Sequence, residues 1–311
     1  MTDPSNSPSF ELNTPSTGPH GTVKGGNADT ASTIDNRVRK NDDHPTDGRR
    51  LSRRQLVLRR FWRSVGAKVG TIGLALVILL ALIGPIFANW DYSVADTYAF
   101  LTPPDSTHWF GTNQGGFDLF AMTLRGLRKS LVIGFAVAFL VEFLAAMIGA
   151  SAAYFSGITE KIILWFIDLL LVIPSFLIIA IIAQHSASSG SSTWILIILL
   201  TAFSWMLSAR VIRAMTLSVV NLDYVHAAKF MSVPPFTIIV KHVLPNIASY
   251  LIIDFTLGVV SAIMSETILS FFGFGVQKPE TSLGTLLADG TRSATTTPWP
   301  VSYTHLTLPT K

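Results

Sequence analysis

The chain has 311 residues, of which 49% are hydrophobic and only 14% charged, against roughly 25% charged in an ordinary soluble protein. Charge that sparse cannot coat a water-soluble fold of this size, so much of the surface faces something other than water. The complete lack of Cys excludes disulfide frameworks, Cys-based zinc sites and thiol nucleophiles, and the net charge of +4 gathers beside an apolar span, which signals membrane orientation rather than nucleic-acid binding.

Residues 1–48 are rich in Ser, Thr, Asn, Asp, Gly and Pro, a composition that cannot bury enough apolar surface to offset its ordering entropy. A disordered cytoplasmic tail is expected there, followed by a basic juxtamembrane segment over 49–68. That segment carries Arg49, Arg50, Arg53, Arg54, Arg59, Arg60 and Arg63 and leads into an unbroken apolar run over 69–88. About 20 helical residues cross a 30 Å hydrocarbon core. A cleaved signal peptide is the rival reading; the long polar tail upstream and an apolar run longer than a signal's count against it.

Further apolar stretches over 131–153, 162–183, 193–209 and 247–269 make five predicted spans, apolar all round rather than along one stripe. The Arg cluster places the N-terminus in the cytoplasm. Alternation then puts 89–130 outside and 210–246 inside, the latter with Arg210, Arg213, Lys229 and Lys241 against Asp223. Arg125, Arg128 and Lys129 fall on the outer side, against that rule; Asp91, Asp96, Asp105 and Asp118 are expected to offset them.

The inner loop is the most informative stretch. Asp223-Tyr224-Val225-His226-Ala227-Ala228 is followed by Lys229-Phe230-Met231-Ser232, then by Lys241-His242-Val243-Leu244-Pro245-Asn246. Small Ala227 and Ala228 let a short helix dock closely on a partner. Pro234 and Pro235 break that helix, and a Pro in a first turn starts another. The loop resembles the EAA loop of ABC importer permeases, with His226 at the family's Glu, Ser232 at its Gly, and Leu244 and Pro245 at its closing Leu-Pro. Gly takes a left-handed cap cheaply, whereas Ser there costs on the order of 1 kcal/mol.

Two further blocks are similar to segments of the oligopeptide/dipeptide/nickel permeases. One is Phe110-Gly111-Thr112-Asn113-Gln114-Gly115-Gly116-Phe117-Asp118-Leu119, before the second span, with Phe117 where the family has Arg. The other is Glu266-Thr267-Ile268-Leu269-Ser270-Phe271-Phe272-Gly273-Phe274-Gly275-Val276-Gln277. On these blocks the chain is identified as a member of that binding-protein-dependent family.

The resemblance implies an all-α type I ABC importer bundle in a bacterial cytoplasmic membrane. It implies a second homologous permease, two cytoplasmic P-loop ATPases docking through 223–246, and an extracytoplasmic substrate-binding protein. ATP binding would draw the coupling helices together and open the bundle outward, with peptides ahead of nickel or another small solute as cargo. No Gly-x-x-x-x-Gly-Lys-[Ser/Thr] occurs in the chain, so nucleotide hydrolysis is assigned to another polypeptide. The competing class is an ion-gradient-driven secondary transporter or channel, which inverted repeats and a self-contained acidic relay would favour.

Ionisable residues within spans are expensive and default to functional candidates. Glu142 is evenly balanced between a pathway-lining acid and a buried structural partner. Asp168, just before a kink expected at Pro174, reads first as a helix-interface bond. Glu266 reads as a structural bond at the outer end of the fifth span, and Asp254 has no favoured role. Trp165, Trp194 and Trp205 read as interfacial anchors. The seven His show no metal-ligand spacing, so neither a metal nor a cofactor is expected.

Five spans is one fewer than the six the resemblance implies. After Pro298-Trp299-Pro300 the family continues with an apolar run, whereas 301–311 here are short and polar. They are expected to be a non-native tail on a C-terminally truncated chain.

Overall fold

A computed structural model describes residues 59, 61–186, 192–277, 280–294 and 299. The expected tail over 1–48, most of the basic segment and the final 301–311 lie outside the described residues. Residues 68–311 form one compact unit and residues 1–67 a separate one.

The described residues form helices joined by short turns, in the all-α membrane bundle that composition predicts. These are α1 (Val65–Phe87), α2 (Leu119–Phe155), α3 (Gly157–Val172), α4 (Ser175–Ser186), α5 (Ser192–Val220), α6 (Asp223–Phe230), α7 (Pro235–Ile238), α8 (Ala248–Phe271) and α9 (Leu283–Ser293). Four of them are long and apolar enough to cross a membrane, or five spans if the bent pair α3–α4 counts as one. That matches the sequence expectation, but three extents differ.

The third span is not one kinked helix. Pro174 cannot donate a backbone hydrogen bond and forces Ile173 into an extended conformation, φ −74° and ψ 127°. The helix stops at Val172, and α4 departs at 74°. The second span begins twelve residues earlier than its apolar run, at Leu119 rather than 131. Asp118 makes the difference: its side chain accepts the amide of Ala121 at 2.7 Å and caps the helix. The fourth runs on to Val220, so Arg210 and Arg213 lie on α5 and not in a loop.

The spine of the bundle is α2, whose 37 residues span about 55 Å at 1.5 Å per residue. Helices α5 and α8 pack along it through small residues, the usual route to close helix approach in membranes. Gly149 faces the backbone of Ala209, and Gly134 receives Ile263. Ala145, Ala146, Ala150 and Ala209 are buried along the same seam. Trp205 is 7% exposed and donates Nε1–H to the Ala202 carbonyl at 3.0 Å. It is a core residue, not the interfacial anchor expected; Trp165 and Trp194 are exposed.

Residues 88–118 fold against the start of α2 as a set of tight turns. Gly111 and Gly116 take φ of 74° and 75°, where an added Cβ would collide with the carbonyls of Thr102 and Asp96. Asn113 Oδ1 accepts the amides of Gly115 and Phe117 at 2.9 and 3.0 Å. The block from Phe110 to Leu119 is thus a folded turn that delivers Asp118 to the end of α2. Buried His108 sits beside it, its Nδ1 2.9 Å from Asp118 and its Nε2 3.5 Å from Asp96, stacked under Trp90.

Arg125 and Lys129 gain a partner the sequence did not suggest, while the charge of Arg125 also acts on Asp91, one of the four aspartates expected. Glu280 lies 3.0 Å from Lys129 Nζ and 3.8 Å from Arg125, and Arg125 also covers the Tyr92 ring at 4.8 Å. Asp96 and Asp118 are committed to His108, while Asp91 and Asp105 close their own turns by accepting from Ser93, Thr107 and His108.

Candidate functional site

Two places in the bundle combine polar groups with exposed or cavity-lining positions. The first is the hairpin between α5 and α8. Helix α6 ends in a Schellman turn: the amide of Val233 bonds the Ala228 carbonyl at 3.2 Å, and that of Ser232 bonds Lys229 at 3.0 Å. Ser232 occupies the left-handed position of that turn at φ 57°, the conformation glycine adopts without a Cβ penalty. Pro235 then starts α7 at its first position. A π-helical turn over Ile239–Val243 follows, and Pro245 ends the run before α8.

The hairpin is anchored from below. Val225, Ala228, Ile238 and Val243 are buried in the main core. Tyr224 ties its two arms, accepting from Asn246 Nδ2 at 2.5 Å and reaching the His242 carbonyl at 3.5 Å. The Lys229 ammonium caps the Tyr154 ring at the end of α2, 4.8 Å from its centroid. The hairpin thus packs against α2 and α5 and runs directly on into α8.

All seven residues expected in the coupling element lie in this one hairpin, in different roles. Tyr224 is a brace, Ser232 a cap, and Leu244 and Pro245 close the second arm. Ala228 is buried against its own bundle, contrary to the expectation that it faces a partner; a small side chain lets α6 sit close to the core. His226 and Ala227 are exposed. The outward surface belongs to residues that sequence reasoning passed over: Phe230 is 88% exposed, Met231 71% and Phe236 65%. Their signal was three large apolar side chains in a loop placed outside the lipid.

The second place is a cavity of about 260 Å³ on one face of the bundle, where α2, α5 and α8 meet. Glu142, Asp254, Ser204, Ser208, Ser261 and Ser265 give it a polar wall, with Val141, Leu207 and Leu257 around them. The Glu142 carboxyl lies against that of Asp254, which the Tyr250 hydroxyl also reaches. Glu142 Oε1 is buried with no hydrogen-bond partner. The structure thus joins Glu142 to Asp254, the one acid left without a role.

Asp168 and Glu266 lie elsewhere. Asp168 of α3 pairs with Arg210 of α5, and one turn along Arg213 donates Nε–H to Glu160 at 2.6 Å. These ion pairs join α3 to α5. Glu266 is fully buried, accepting from Ser130 Oγ at 3.0 Å and Ser270 Oγ at 2.6 Å. Ser130 in turn accepts the amide of Leu283, and Ser270 that of Val276. One carboxyl so ties α2, α8 and the turn into α9.

Residues 143–306 match the family described as the binding-protein-dependent transport system inner membrane component, and residues 52–104 match the N-terminal TM domain of oligopeptide transport permease C. The chain belongs to this permease family. Its relatives include an oligopeptide transport system permease protein OppC of Mycobacterium tuberculosis, 47% identical over 248 residues, which are 80% of this chain and 85% of that one. The OppC of Bacillus subtilis is 33% identical over 262 residues, 83% of this chain and 85% of the relative. The dipeptide transport system permease protein DppC of the same organism is 33% identical over 264 residues, 83% and 81% of the two chains. The permease is therefore a multi-pass inner-membrane subunit of an ABC importer. The secondary-transporter alternative is set aside on that ground, and the acidic pair has to be understood within an ABC permease.

Proposed function

We propose that this permease forms half of the membrane pathway for peptides, with a second homologous permease as the other half. Two cytoplasmic P-loop ATPases drive it and an extracytoplasmic binding protein supplies the cargo. The N-terminus and the α6–α7 hairpin face the cytoplasm. The chain itself carries out no catalysis.

The observation that carries this reading is the outward apolar knob of Phe230, Met231 and Phe236 on a hairpin packed against α2 and α5. Large apolar side chains held at a water-facing turn mark a docking surface. Pulling that knob moves the buried arms of the hairpin, and with them α2, α5 and α8. ATP binding brings the two hairpins of a permease pair together and opens the bundle outward; hydrolysis resets it. Kinship with oligopeptide and dipeptide transport permeases supports peptides as cargo.

Co-purification of a P-loop ATPase with the full permease pair tests the docking. Phe230→Glu and Phe236→Glu together are expected to abolish association and peptide uptake while leaving the permease folded in detergent. Undiminished ATPase association in that variant, or uptake that proceeds without ATP, sinks the reading.

A further inference from the structure

We propose that the cavity between Glu142 and Asp254 is a binding site for a cationic group, an alkylammonium carried by the substrate in transit. This rests on the peptide-importer reading above and adds a ligand chemistry to it.

The position of the carboxyls is the first argument. Glu142 is on α2 with thirteen residues of helix still to run, and Asp254 is in the second turn of α8. Both lie within apolar stretches that satisfy the length and hydropathy of a membrane span. Acidic side chains at such depth face a pathway or a partner charge, because lipid offers them neither water nor a counter-ion. Among the described residues neither forms an ion pair. The nearby arginines of α5 are engaged elsewhere, Arg210 with Asp168 and Arg213 with Glu160.

The wall of the cavity is the second argument. Four serines from two helices line it: Ser204 and Ser208 one turn apart on α5, and Ser261 and Ser265 one turn apart on α8. Hydroxyl oxygens and carboxylates are acceptors suited to the three donors of an ammonium group. Although the Glu142 carboxyl meets that of Asp254, its Oε1 is buried and has no hydrogen-bond partner, which leaves one unmet polar atom at the cavity. A volume of about 260 Å³ admits an ammonium with its adjoining methylene groups. One end or one side chain of the cargo would enter while the rest stays in the pathway. The rim is open, since Ser204, Leu207, Leu257 and Ser261 are exposed.

Because the chain has no Cys, a single Ser204→Cys substitution reports on the cavity in the complete importer, reconstituted in proteoliposomes with its permease partner, ATPases and binding protein. Cationic and anionic methanethiosulfonates of similar size are the probes. The cationic reagent should react faster by about tenfold, the lower end of what a cleft lined by one sign of charge achieves. The preference should fall to near unity in Glu142→Gln/Asp254→Asn. Tri-alanine amide should slow labelling, and its N-acetylated form should not. Acetylated Ala-Lys-Ala amide distinguishes the sources: protection assigns the site to any alkylammonium, and no protection to the peptide N-terminus alone. Equal rates for the two reagents, or a preference that survives neutralisation, overturns the site. A cation of the second permease filling the cavity would give that same null result. If the wild-type complex shows no ATP-driven peptide uptake at all, the importer reading fails instead.

Discussion

Replacing Ser232 by Gly is expected to stabilise the α6–α7 hairpin, and the size of the effect follows from one backbone angle. Ser232 sits at φ 57°, where an L-residue with a Cβ is disfavoured by about 1–2 kcal/mol. Gly removes that strain but loses roughly 0.5–1 kcal/mol more backbone entropy on folding. The Ser232 side chain is exposed, so little packing is lost. The net gain is about 0.5–1 kcal/mol, local to the turn that joins Lys229 and Ala228 to Ser232 and Val233. Global unfolding would hide so small a term; amide hydrogen exchange of the permease in nanodiscs would not. The amides of Ser232 and Val233, both donors in the Schellman turn, should exchange about two- to fivefold more slowly in Ser232→Gly. Ser232→Val should speed them, because a β-branched side chain tolerates that conformation worst. Exchange that is unchanged or faster in the Gly variant would refute the argument that backbone strain at this position limits the turn.

Three other outcomes follow from the packing. Glu266→Ala leaves the hydroxyls of Ser130 and Ser270 without their acceptor and opens a cavity, so it should cost about 2–4 kcal/mol in thermal unfolding; Glu266→Gln, which keeps an acceptor and the volume, should cost about 1 kcal/mol or less. Gly149→Ala pushes a methyl into the backbone of Ala209 where α2 and α5 meet and should destabilise by about 1–3 kcal/mol. Gly70→Ala on α1, with open space around it, is the control and should change nothing or raise helix stability slightly. In the 88–118 segment, the Ser93 hydroxyl and amide hold the Asp91 carboxyl below its usual range, and the His108 amide with Thr107 does the same for Asp105. A depressed folded-state value means stability that is complete above the unfolded value of 3.8 and lost as pH falls through the folded one. Exchange of the Ser93, Thr107 and His108 amides, corrected for intrinsic rate, should therefore stay constant from pH 7 to about 5 and accelerate only at lower pH; acceleration on raising pH instead would contradict it.

The existence of the spans and the class of the protein were legible in the chain because both depend on composition over a local window. A run such as 69–88 is apolar whatever it packs against, and only a helix satisfies its backbone in lipid. The α6–α7 hairpin was legible for a similar reason: Pro234, Pro235 and the polar break at Ser232 act within a few residues of themselves. Pro174 was recognised too, but only as a kink. How far the chain turns there is set by what α4 packs on, and the answer was 74°.

What the tertiary structure alone decided were the partnerships between distant residues. Arg125 and Lys129 looked misplaced until Glu280, more than 150 positions away, came beside them. Glu142 and Asp254 were two isolated acids until α2 and α8 brought them to one cavity. Trp205 has the composition of an anchor and the burial of a core residue, because its face of α5 happens to meet the bundle. Near a membrane an apolar residue can face lipid or protein at similar cost. Hydropathy therefore says that a helix spans and not which side of it faces inward. Burial, charge pairing and the polar pathway are set by which helices meet and through which small residues they approach, and that is a property of the packed bundle.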